Sequence, residues 1–485
     1  MHSIFAQLTR KFRPGVAAGR REFFKATAAV GASLLLSSRG FAGPKINKRV
    51  VIVGAGFAGL ACAHELKAAG YKVTVIEARN RVGGRVLSFR DLVEGKIVEG
   101  GGELIGSNHP TWIAYAEKFG LNFIDVSEDV DLNSPIHLDG KLLDDESAEK
   151  LYEEMEAALN SMNDAAELVD ADQPWESPNA VELDQRTLGD WLGELQVSDL
   201  VRKLVAIQIG SDNAIANEKA SYLGMLTAIK GGGGEKYWTD TEVYRCNGGN
   251  DQLAKRLAVA IGSDQITLKL AVDKISLCPN GASVRCTNGC IIECDDVVLA
   301  TPPTTWHRIK FSPKLPGVLL KQQMGTAVKY LSAVKNRFWL EDGRSQYAFT
   351  DGLISQTWES TDAQDGSLAT GLTAFSGGPQ AEQCLNLKKN ERDAKYAAEF
   401  LKIYPKFSDN LVRARFMDWP LDPLTGGGYS FPRPGQIMST GRLLYNGLGR
   451  LHFCGEHTSY KFVGYMEGGL NSGVSLAQRI SKRDS

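Results

Sequence analysis

Residues 50–85, VVIVGAGFAGLACAHELKAAGYKVTVIEARNRVGGR, carry the most informative pattern in this chain. They open on the apolar, β-branched run 50–53, which is bounded by glycine and predicts a buried parallel strand. Gly54, Gly56 and Gly59 follow as G-x-G-x-x-G. The first glycine permits a tight turn, the second lets a pyrophosphate approach the backbone, and the third lets a helix pack close to the strand. The pattern predicts the strand–turn–helix unit of a dinucleotide-binding sheet.

The following residues supply the remaining parts of that unit. Helix formers occupy residues 58–69, Gly70 ends the helix, and residues 72–76 return as a second strand. That strand leads into Glu77, 23 positions after Gly54, where a carboxylate can accept hydrogen bonds from both hydroxyls of an adenosine ribose. Glycines at this spacing also occur by chance, but here the strand, helix, strand and acid all fall where the mechanism needs them.

The residues after Glu77 distinguish flavin from nicotinamide. Glu77 is followed by ARNRVGGR, residues 78–85. The segment resembles the E-A-R-x-R-x-G-G-R signature of the flavin amine oxidase family, which includes monoamine oxidases and L-amino acid oxidases. In that family the glycines and the last arginine run along the dinucleotide of FAD, whereas nicotinamide dehydrogenases do not usually carry this segment. The resemblance implies an α/β fold, with a Rossmann-like FAD-binding domain of the GR2 type and a discontinuous α+β substrate-binding domain.

A second match lies near the C-terminus. Residues 451–456, LHFCGE, indicate a strand that ends on an acid, and a helix begins within residues 462–469, FVGYMEGG. They resemble the family's closing motif, in which the acid binds the ribityl chain and the Gly-Tyr-Met turn points a helix N-terminus at the flavin and phosphates. Free N–H groups and the helix dipole favour negative charge there. Two FAD motifs almost four hundred residues apart occur in family order.

Weaker matches complete the set of cofactor contacts. They are the glycine-rich turn at residues 98–106, a strand predicted over 268–275, and the A-T-P-P turn at 300–303. The resemblance assigns cofactor contacts to Gly54, Gly56, Ala58, Gly59, Glu77, Ala78, Arg79, Gly84, Arg85, Gly101, Gly102, Glu103, Leu104, Val272, Thr301, Trp419, Gly455, Glu456, Gly464, Tyr465 and Met466.

The family also implies which residues face the substrate. Tyr429 and Tyr465 match two aromatic residues that flank the substrate amine, where an apolar slot favours its neutral form. Lys329 matches the lysine that holds a water near flavin N5 and assists the reaction of reduced flavin with oxygen. Gly428 stands where mitochondrial-type monoamine oxidases carry a covalent flavin cysteine, so FAD is predicted to bind non-covalently. Ordinary packing is the alternative for each tyrosine, and a solvated surface position for the lysine.

The predicted reaction is the oxidation of an amine to an imine, which hydrolyses to an aldehyde or keto acid plus ammonia, with O2 reduced to hydrogen peroxide. L-amino acid oxidases of the family carry an arginine just after the glycine turn, which pairs with the substrate carboxylate. Residues 103–106, ELIG, lack it, although Arg337 or Arg344 could reach in from the second domain. A desaturase, a dehydrogenase with a protein electron acceptor, and a non-catalytic flavin-binding protein remain alternatives. A homodimer also stays open.

Composition indicates a globular protein long enough for two domains. The 485 residues are 43% hydrophobic and 23% charged, with a net charge of −2. That balance favours neither nucleic acid nor an anionic membrane as a partner. The predicted FAD-binding domain comprises residues 46–130, 240–310 and 417–485, and the substrate-binding domain comprises residues 131–239 and 311–416.

The first forty residues are predicted to stand outside the fold. The GRREFFK segment at residues 19–25 resembles the twin-arginine export motif, with an apolar run at 26–36 and a small-residue exit at 40–42. The run is shorter than the ~20 residues that span a bilayer. Residues 1–42 therefore predict a signal peptide and a periplasmic or secreted protein. A basic, weakly apolar tail is the alternative.

Eight cysteines invite metal and disulfide interpretations. Asn288-Gly289 predicts a two-residue hairpin turn, which would set Cys286 opposite Ile291 and Ser283 opposite Cys294. That pairing scatters the thiols, so no metal site is predicted. Whether any disulfide forms cannot be derived from spacing alone.

Overall fold

A computed structural model describes residues 3–13, 47–127 and 132–485. In chain order the helices are α1 (Ile4–Phe12), α2 (Phe57–Ala68), α3 (Pro110–Phe119), α4 (Asp145–Ala166), α5 (Ala180–Gln185), α6 (Leu188–Glu194), α7 (Asp199–Asp212), α8 (Tyr222–Gly232), α9 (Lys236–Asp240), α10 (Asp251–Ile261), α11 (Pro379–Leu385), α12 (Lys389–Ile403), α13 (Phe407–Asn410), α14 (Gln436–Asn446) and α15 (Met466–Asp484).

The strands are β1 (Arg49–Val53), β2 (Lys72–Ile76), β3 (Ser88–Phe89), β4 (Val98–Glu99), β5 (Phe123–Asp125), β6 (Ile136–Leu138), β7 (Lys141–Leu142), β8 (Tyr244–Cys246), β9 (Ile266–Thr267), β10 (Val272–Cys278), β11 (Gly281–Cys286), β12 (Ile291–Cys294), β13 (Asp296–Leu299), β14 (Lys310–Ser312), β15 (Ala327–Val334), β16 (Ala348–Thr350), β17 (Gln356–Glu359), β18 (Thr370–Gly377), β19 (Leu411–Met417) and β20 (Leu451–Phe453).

A five-stranded parallel sheet has the predicted β1 at its centre. The strand order is β20-β13-β1-β2-β9, and every adjacent pair runs parallel. The predicted strand, helix and second strand are confirmed as β1, α2 and β2. Helices α2 and α15 pack closely together, so the N-terminal motif and the C-terminal segment share one core. The carboxyl ends of β1, β13 and β20 therefore come from distant parts of the chain and meet at one edge.

A second sheet has four strands in the order β12-β11-β10-β14. Within it, β11 and β12 form the predicted hairpin, but their pairing is shifted by one residue from the predicted register. Arg285 pairs with Ile291 and Ala282 with Cys294, so the predicted pairs Cys286–Ile291 and Ser283–Cys294 are wrong. The turn spans three residues rather than two, because the Cys286 carbonyl accepts from Gly289 N at 2.9 Å while Cys286 N donates to the Cys290 carbonyl at 2.8 Å. Gly289 has φ +85°, the left-handed conformation that such three-residue turns require.

The strand predicted over residues 268–275 is divided. Lys269 adopts φ +59° and its N–H donates to the Arg79 carbonyl at 2.8 Å, while the Leu270 N–H donates to the Glu77 carbonyl at 2.9 Å. These residues therefore bind the turn after β2 instead of extending β10, which begins at Val272.

The other half of the molecule combines helices with a seven-stranded sheet in the order β19-β15-β18-β17-β16-β6-β7. Strand β15 lies between β18 and β19 in this sheet and pairs antiparallel with both. Aromatic side chains of α12 pack on this sheet, with the Tyr330 and Tyr396 rings stacked at 4.2 Å between centroids. Helices α4, α7 and α8 form a separate apolar core.

The N-terminal helix α1 belongs to that helical core. Ile4, Phe5 and Leu8 are buried against α4, and Phe5 stacks on Tyr152 at 5.6 Å. Lys11 forms an ion pair with Asp145 at 2.7 Å. The prediction that the first forty residues stand outside the fold is therefore wrong for residues 3–13. The apolar face of α1 packs against the helical core. The twin-arginine segment, the apolar run and the cleavage region lie outside the described residues.

Within residues 3–13, 47–127 and 132–485, no helix is both long and apolar enough to cross a bilayer.

Candidate functional site

A cavity of about 500 Å³ opens at the carboxyl ends of β1, β2 and β13 and continues towards the seven-stranded sheet. We call it the main cavity. The predicted site residues that line it are Gly54, Gly56, Ala58, Glu77, Ala78, Arg79, Gly84, Arg85, Gly101, Gly102, Glu103, Leu104, Val272, Thr301, Lys329, Trp419, Tyr429, Gly455, Glu456, Gly464, Tyr465 and Met466.

Gly59, which was predicted to contact the cofactor, does not line the main cavity. A Cβ at this position would overlap the Gly54 carbonyl oxygen and lie 3.1 Å from the Ala300 Cβ. Gly54 itself has φ +108°. Glycine at 54 therefore makes the turn, and glycine at 59 lets α2 pack against that turn, as the motif predicts.

The Glu77 carboxylate is held at the end of β2 by backbone donors. Its Oε2 accepts from the Ala55 N–H at 2.8 Å and its Oε1 from the Arg79 N–H at 2.7 Å. These bonds fix a buried carboxylate at the edge of the main cavity. An adenosine ribose could be bound there through the remaining acceptor positions.

Two arginines of the segment 78–85 connect the N-terminal motif to the C-terminal part of the chain. Arg79 makes a bidentate ion pair with Asp422, at 2.7 and 3.0 Å. Arg85 donates to Glu456 Oε1 at 2.9 Å and to the Gly428 carbonyl at 3.0 Å. Both guanidinium groups are therefore oriented by fixed partners beside the main cavity.

Glu456 is the centre of a buried polar cluster at the end of β20. Its carboxylate accepts from the Ser430 hydroxyl at 2.6 Å and from the Gly464 N–H at 2.9 Å, in addition to Arg85. Burial alone would raise the pKa of Glu456, but the positive charge of Arg85 and these hydrogen bonds outweigh it and lower the pKa. Glu456 therefore stays ionised.

Buried polar atoms in the lining lack partners in the described part of the chain. Thr301 Oγ1 and both ring nitrogens of His457 accept or donate no hydrogen bond there, although both residues line the main cavity. Burial lowers the pKa of His457 to about 4, so its imidazole is neutral near pH 7. Unpaired buried groups of this kind are costly unless a ligand or water binds them. The cavity thus fits a long, polar cofactor.

Lys329 lies on β15 and reaches into the main cavity. Its Nζ is 2.7 Å from Glu103 Oε2 and 2.8 Å from the Gly101 carbonyl. Glu103 is also paired with Arg245 at 3.0 Å and accepts from Trp358 Nε1 at 2.9 Å. Burial would raise the pKa of Glu103, but Lys329 and Arg245 outweigh it and lower the pKa. Two cations thus share one carboxylate. The surface alternative for Lys329 is wrong, since its side chain is 12% exposed.

The two predicted tyrosines are brought to the same part of the main cavity. The Tyr429 hydroxyl donates to the Asp212 backbone carbonyl at 2.9 Å. Tyr465 precedes α15, and its ring meets the His109 ring edge-on at 5.5 Å. The Tyr429 ring packs on Gly464, where an added Cβ would lie 3.0 Å from its Cδ2 atom. Burial raises the pKa of both phenols well above 10, so both are neutral.

The structure adds lining residues that the sequence did not indicate. Asp212 ends α7, Glu242 precedes β8, and Tyr237 lies in α9, and all three line the main cavity near the tyrosines. No fixed spacing connects these positions, so only their meeting in the fold could identify them.

Neither arginine considered for a substrate carboxylate lines the main cavity. Arg337 forms an ion pair with Glu359 at 2.8 Å, and Arg344 donates to the Ile403 carbonyl. The lining near the tyrosines instead contains the carboxylates of Asp212 and Glu242. A substrate carboxylate would be repelled there.

Comparison with known proteins agrees with this arrangement. Residues 57–481 match the sequence profile of the family described as flavin containing amine oxidoreductase. The chain belongs to this family. As a flavin-containing amine oxidoreductase it is an enzyme that acts on the CH–NH2 group of amines, and FAD is the cofactor that its family implies.

Individual members of the family are similar over nearly the whole chain. Flavin-containing amine oxidase A of Sus scrofa is 27% identical over 451 residues, which cover 89% of this chain and 84% of that protein. Flavin-containing amine oxidase B of Homo sapiens is 27% identical over 453 residues, with 89% and 85% covered.

Solved structures of the family superpose closely. A putrescine oxidase solved with putrescine bound gives a TM-score of 0.82 at 25% identity and covers 91% of this amine oxidoreductase and 100% of that chain. Cyclohexylamine oxidase from Brevibacterium oxydans IH-35A gives 0.80 at 26% identity, with 90% and 99% covered. All are mixed α/β flavoenzymes, as this chain is.

Proposed function

We propose that this enzyme is an oxidase of amines that lack a carboxylate, with O2 as electron acceptor and FAD bound non-covalently. The observation that carries this proposal is one continuous cavity. It joins the glycine-lined part around Gly54 and Glu77 to a part lined by Lys329, Tyr429 and Tyr465. The lining at that second part carries carboxylates rather than an arginine, which favours an amine over an amino acid.

The proposed cofactor contacts follow the geometry of the lining. Glu77 would hold the ribose, Arg85 and the α15 N-terminus would face the phosphates and flavin, and Glu456 would hold the ribityl chain. When bound, FAD supplies the redox chemistry, accepting a hydride equivalent from the carbon that bears the amine.

The chain's own residues would prepare the substrate. Tyr429 and Tyr465 would hold the amine between neutral rings, away from bulk water, which favours the uncharged amine. That form is required because an ammonium has no lone pair. Lys329 would place a cation where negative charge develops on oxygen, with Glu103 fixing its position.

Non-covalent binding is supported by the packing at position 428. A Cβ on Gly428 would lie 2.7 Å from the Ala327 Cβ and 3.1 Å from the Ala327 N atom. A cysteine there would force β15 to move. We therefore expect acid precipitation of the purified enzyme to release its FAD into the supernatant. Yellow colour retained in the washed precipitate would contradict non-covalent binding.

Replacing Tyr429 with alanine should lower kcat/KM for amines about 10- to 100-fold, because the substrate would lose one wall that orients it. FAD should stay bound, since the Tyr429 hydroxyl bonds the Asp212 carbonyl, which is not a predicted cofactor contact. Steady-state peroxide production and the visible spectrum measure both properties. Tyr429→Phe keeps the ring and should retain most of the rate. A colourless Tyr429→Ala protein would indicate a structural role instead.

The experiment that tests the function is anaerobic mixing of the enzyme with a panel of amines and amino acids. Bleaching of the flavin by amines, followed by peroxide when air returns, is the expected result. Bleaching by amino acids alone would favour an L-amino acid oxidase. Bleaching without peroxide would indicate a dehydrogenase, and no bleaching by any compound would indicate a non-catalytic flavoprotein.

We also propose the domain division and location that the sequence predicts. The Rossmann-like FAD-binding domain would comprise residues 46–130, 240–310 and 417–485, and the substrate-binding domain would comprise residues 131–239 and 311–416. Residues 1–42 would direct twin-arginine export. Cell fractionation of a variant with Arg20 and Arg21 both changed to lysine tests this location: we expect cytoplasmic retention, and unchanged export would contradict it.

A further inference from the structure

Arg245 of β8 lies behind the Lys329–Glu103 pair. Its side chain is buried, and its Nε atom lies 3.0 Å from Glu103 Oε1. Lys329 Nζ lies 2.7 Å from the other carboxylate oxygen, Oε2. Lys329 and Glu103 line the main cavity, whereas Arg245 lies outside its lining. Two cations therefore bind different oxygens of one carboxylate, and Lys329 is the one that faces the cavity.

The other contacts of Arg245 hold its guanidinium group in place. Its Nη1 donates to the Asp362 carboxylate, and its Nη2 donates to the Glu359 backbone carbonyl at 2.5 Å. Trp358, in the same strand as Glu359, donates from Nε1 to Glu103 Oε1 at 2.9 Å. Strand β17 and the residues after it thus orient the guanidinium group and the Glu103 carboxylate relative to each other.

Three buried carboxyl groups around these cations differ in charge. Burial raises the pKa of Asp362 to about 7, although Arg245 lowers it, and burial also raises the pKa of Glu99 to about 7. Glu103 differs because Lys329 and Arg245 together outweigh its burial and lower its pKa. Near pH 7, Glu103 is therefore ionised, whereas Asp362 and Glu99 are only partly ionised.

A buried lysine–glutamate pair can lose both charges when one proton moves. Transfer of a proton from Lys329 Nζ to the Glu103 carboxylate would leave a neutral amine and a carboxylic acid, and burial favours that neutral pair. A guanidinium group does not release its proton in proteins, so Arg245 keeps its positive charge next to Glu103. That charge favours the carboxylate form of Glu103, and the proton consequently stays on Lys329.

We infer that Arg245 is a positioning residue for the reaction of the reduced flavin with oxygen: it keeps Glu103 ionised and thereby holds the Lys329 side chain in the main cavity as an ammonium. The inference rests on the role proposed above for Lys329 and adds the residue that secures its charge. Arg245 acts through Glu103 and Lys329, so its replacement should affect reoxidation only while Lys329 is present.

The test is a double-mutant cycle between Arg245→Met and Lys329→Met, measured by stopped-flow reoxidation of the reduced holoenzyme. Arg245→Met alone should slow reoxidation about 10-fold, which is less than the effect of Lys329→Met, because the lysine is neutralised or displaced rather than removed. In the Lys329→Met background, Arg245→Met should change the rate by no more than about 2-fold.

The reduction potential of the bound flavin provides a readout that does not depend on turnover. Loss of positive charge in the main cavity should lower this potential, so Arg245→Met and Lys329→Met should each lower it. The double variant should have the potential of Lys329→Met, because a buried Glu103 without either cation takes up a proton. Arg245→Lys keeps a positive charge beside Glu103 and should reoxidise faster than Arg245→Met.

Arg483→Met is the matched control. It also removes an arginine from a fully buried carboxylate, that of Asp296, to which Arg483 donates at 2.6 and 2.9 Å, and both residues lie outside the lining of the main cavity. This variant should keep the parent's reoxidation rate and flavin potential. Thermal unfolding of each holoenzyme measures lost stability. If Arg245→Met does not fold, Arg245→Gln, which keeps a polar side chain without the charge, takes its place in the cycle.

Three results would overturn the inference: equal slowing by Arg245→Met in both backgrounds, a parallel loss in flavin reduction and reoxidation, or equal rates in Arg245→Lys and Arg245→Met. If Lys329→Met is slow but Arg245→Met matches the parent, the inference alone fails. If Lys329→Met reoxidises like the parent, the proposed role of Lys329 fails as well.

Discussion

Replacing Gly59 with alanine should reduce FAD affinity about 100-fold or more and give a nearly colourless protein. A Cβ there would overlap the Gly54 carbonyl oxygen, which belongs to the backbone of the turn and cannot rotate away. Relief requires α2 to move off β1, and that movement displaces the helix N-terminus and the turn at Gly54. Overpacking of this kind costs on the order of 3 kcal/mol, and each 1.4 kcal/mol changes a Kd about tenfold.

The measurement is titration of the apoprotein with FAD, followed by flavin fluorescence, together with thermal unfolding. Gly193→Ala is the matched control, because it also lies in a helix and a Cβ there meets nothing within 4 Å. We expect that variant to bind FAD like the parent. An unchanged FAD affinity in Gly59→Ala would show that α2 does not pack on the turn as described.

Replacing Lys329 with methionine should slow reoxidation of the reduced flavin by oxygen about 100-fold, while reduction by substrate changes much less. The ammonium would be lost from the main cavity, and preorganised charges of this kind contribute about 10²- to 10³-fold in rate. The variant should still fold, because Glu103 keeps Arg245 at 3.0 Å and Trp358 Nε1 at 2.9 Å as partners.

Stopped-flow mixing of the reduced enzyme with oxygenated buffer measures this step separately from reduction. Lys335→Met provides the control, because Lys335 directly follows the same strand but is exposed and donates to the Asp409 carbonyl at 2.7 Å. Equal reoxidation rates in Lys329→Met and the parent would refute the role of Lys329. A parallel loss in reduction and reoxidation would assign it to positioning of the flavin or substrate.

The local part of the fold could be predicted from sequence because it depends on neighbouring residues. The glycine turn, α2, β2 and Glu77 follow from strand periodicity, helix formers and glycine positions. The hairpin register could not be predicted, because Asn288-Gly289 permits both a two-residue turn and the three-residue turn that the structure contains. Similarly, the sequence predicts one strand over residues 268–275, but the N–H groups of residues 269–270 bind the turn after β2 instead.

Those residues of the site that belong to sequence motifs could be predicted. The glycines, Glu77 and Glu456 belong to recognisable segments at the two ends of the chain, and the parallel order of β1, β13 and β20 brings those ends together. Asp212 and Glu242 belong to no recognisable sequence motif. They are ordinary acidic residues in sequence, and only tertiary packing places them next to Tyr429 and Tyr465. The burial of α1 was missed for the same reason.

We expect one FAD molecule to bind in the main cavity, between the two ends of this chain. The most direct measurement is the visible absorbance spectrum of the purified full-length protein, before and after incubation with excess FAD and gel filtration. We expect a flavin spectrum that corresponds to about one FAD per chain. A protein that is colourless when purified and takes up no FAD would contradict it.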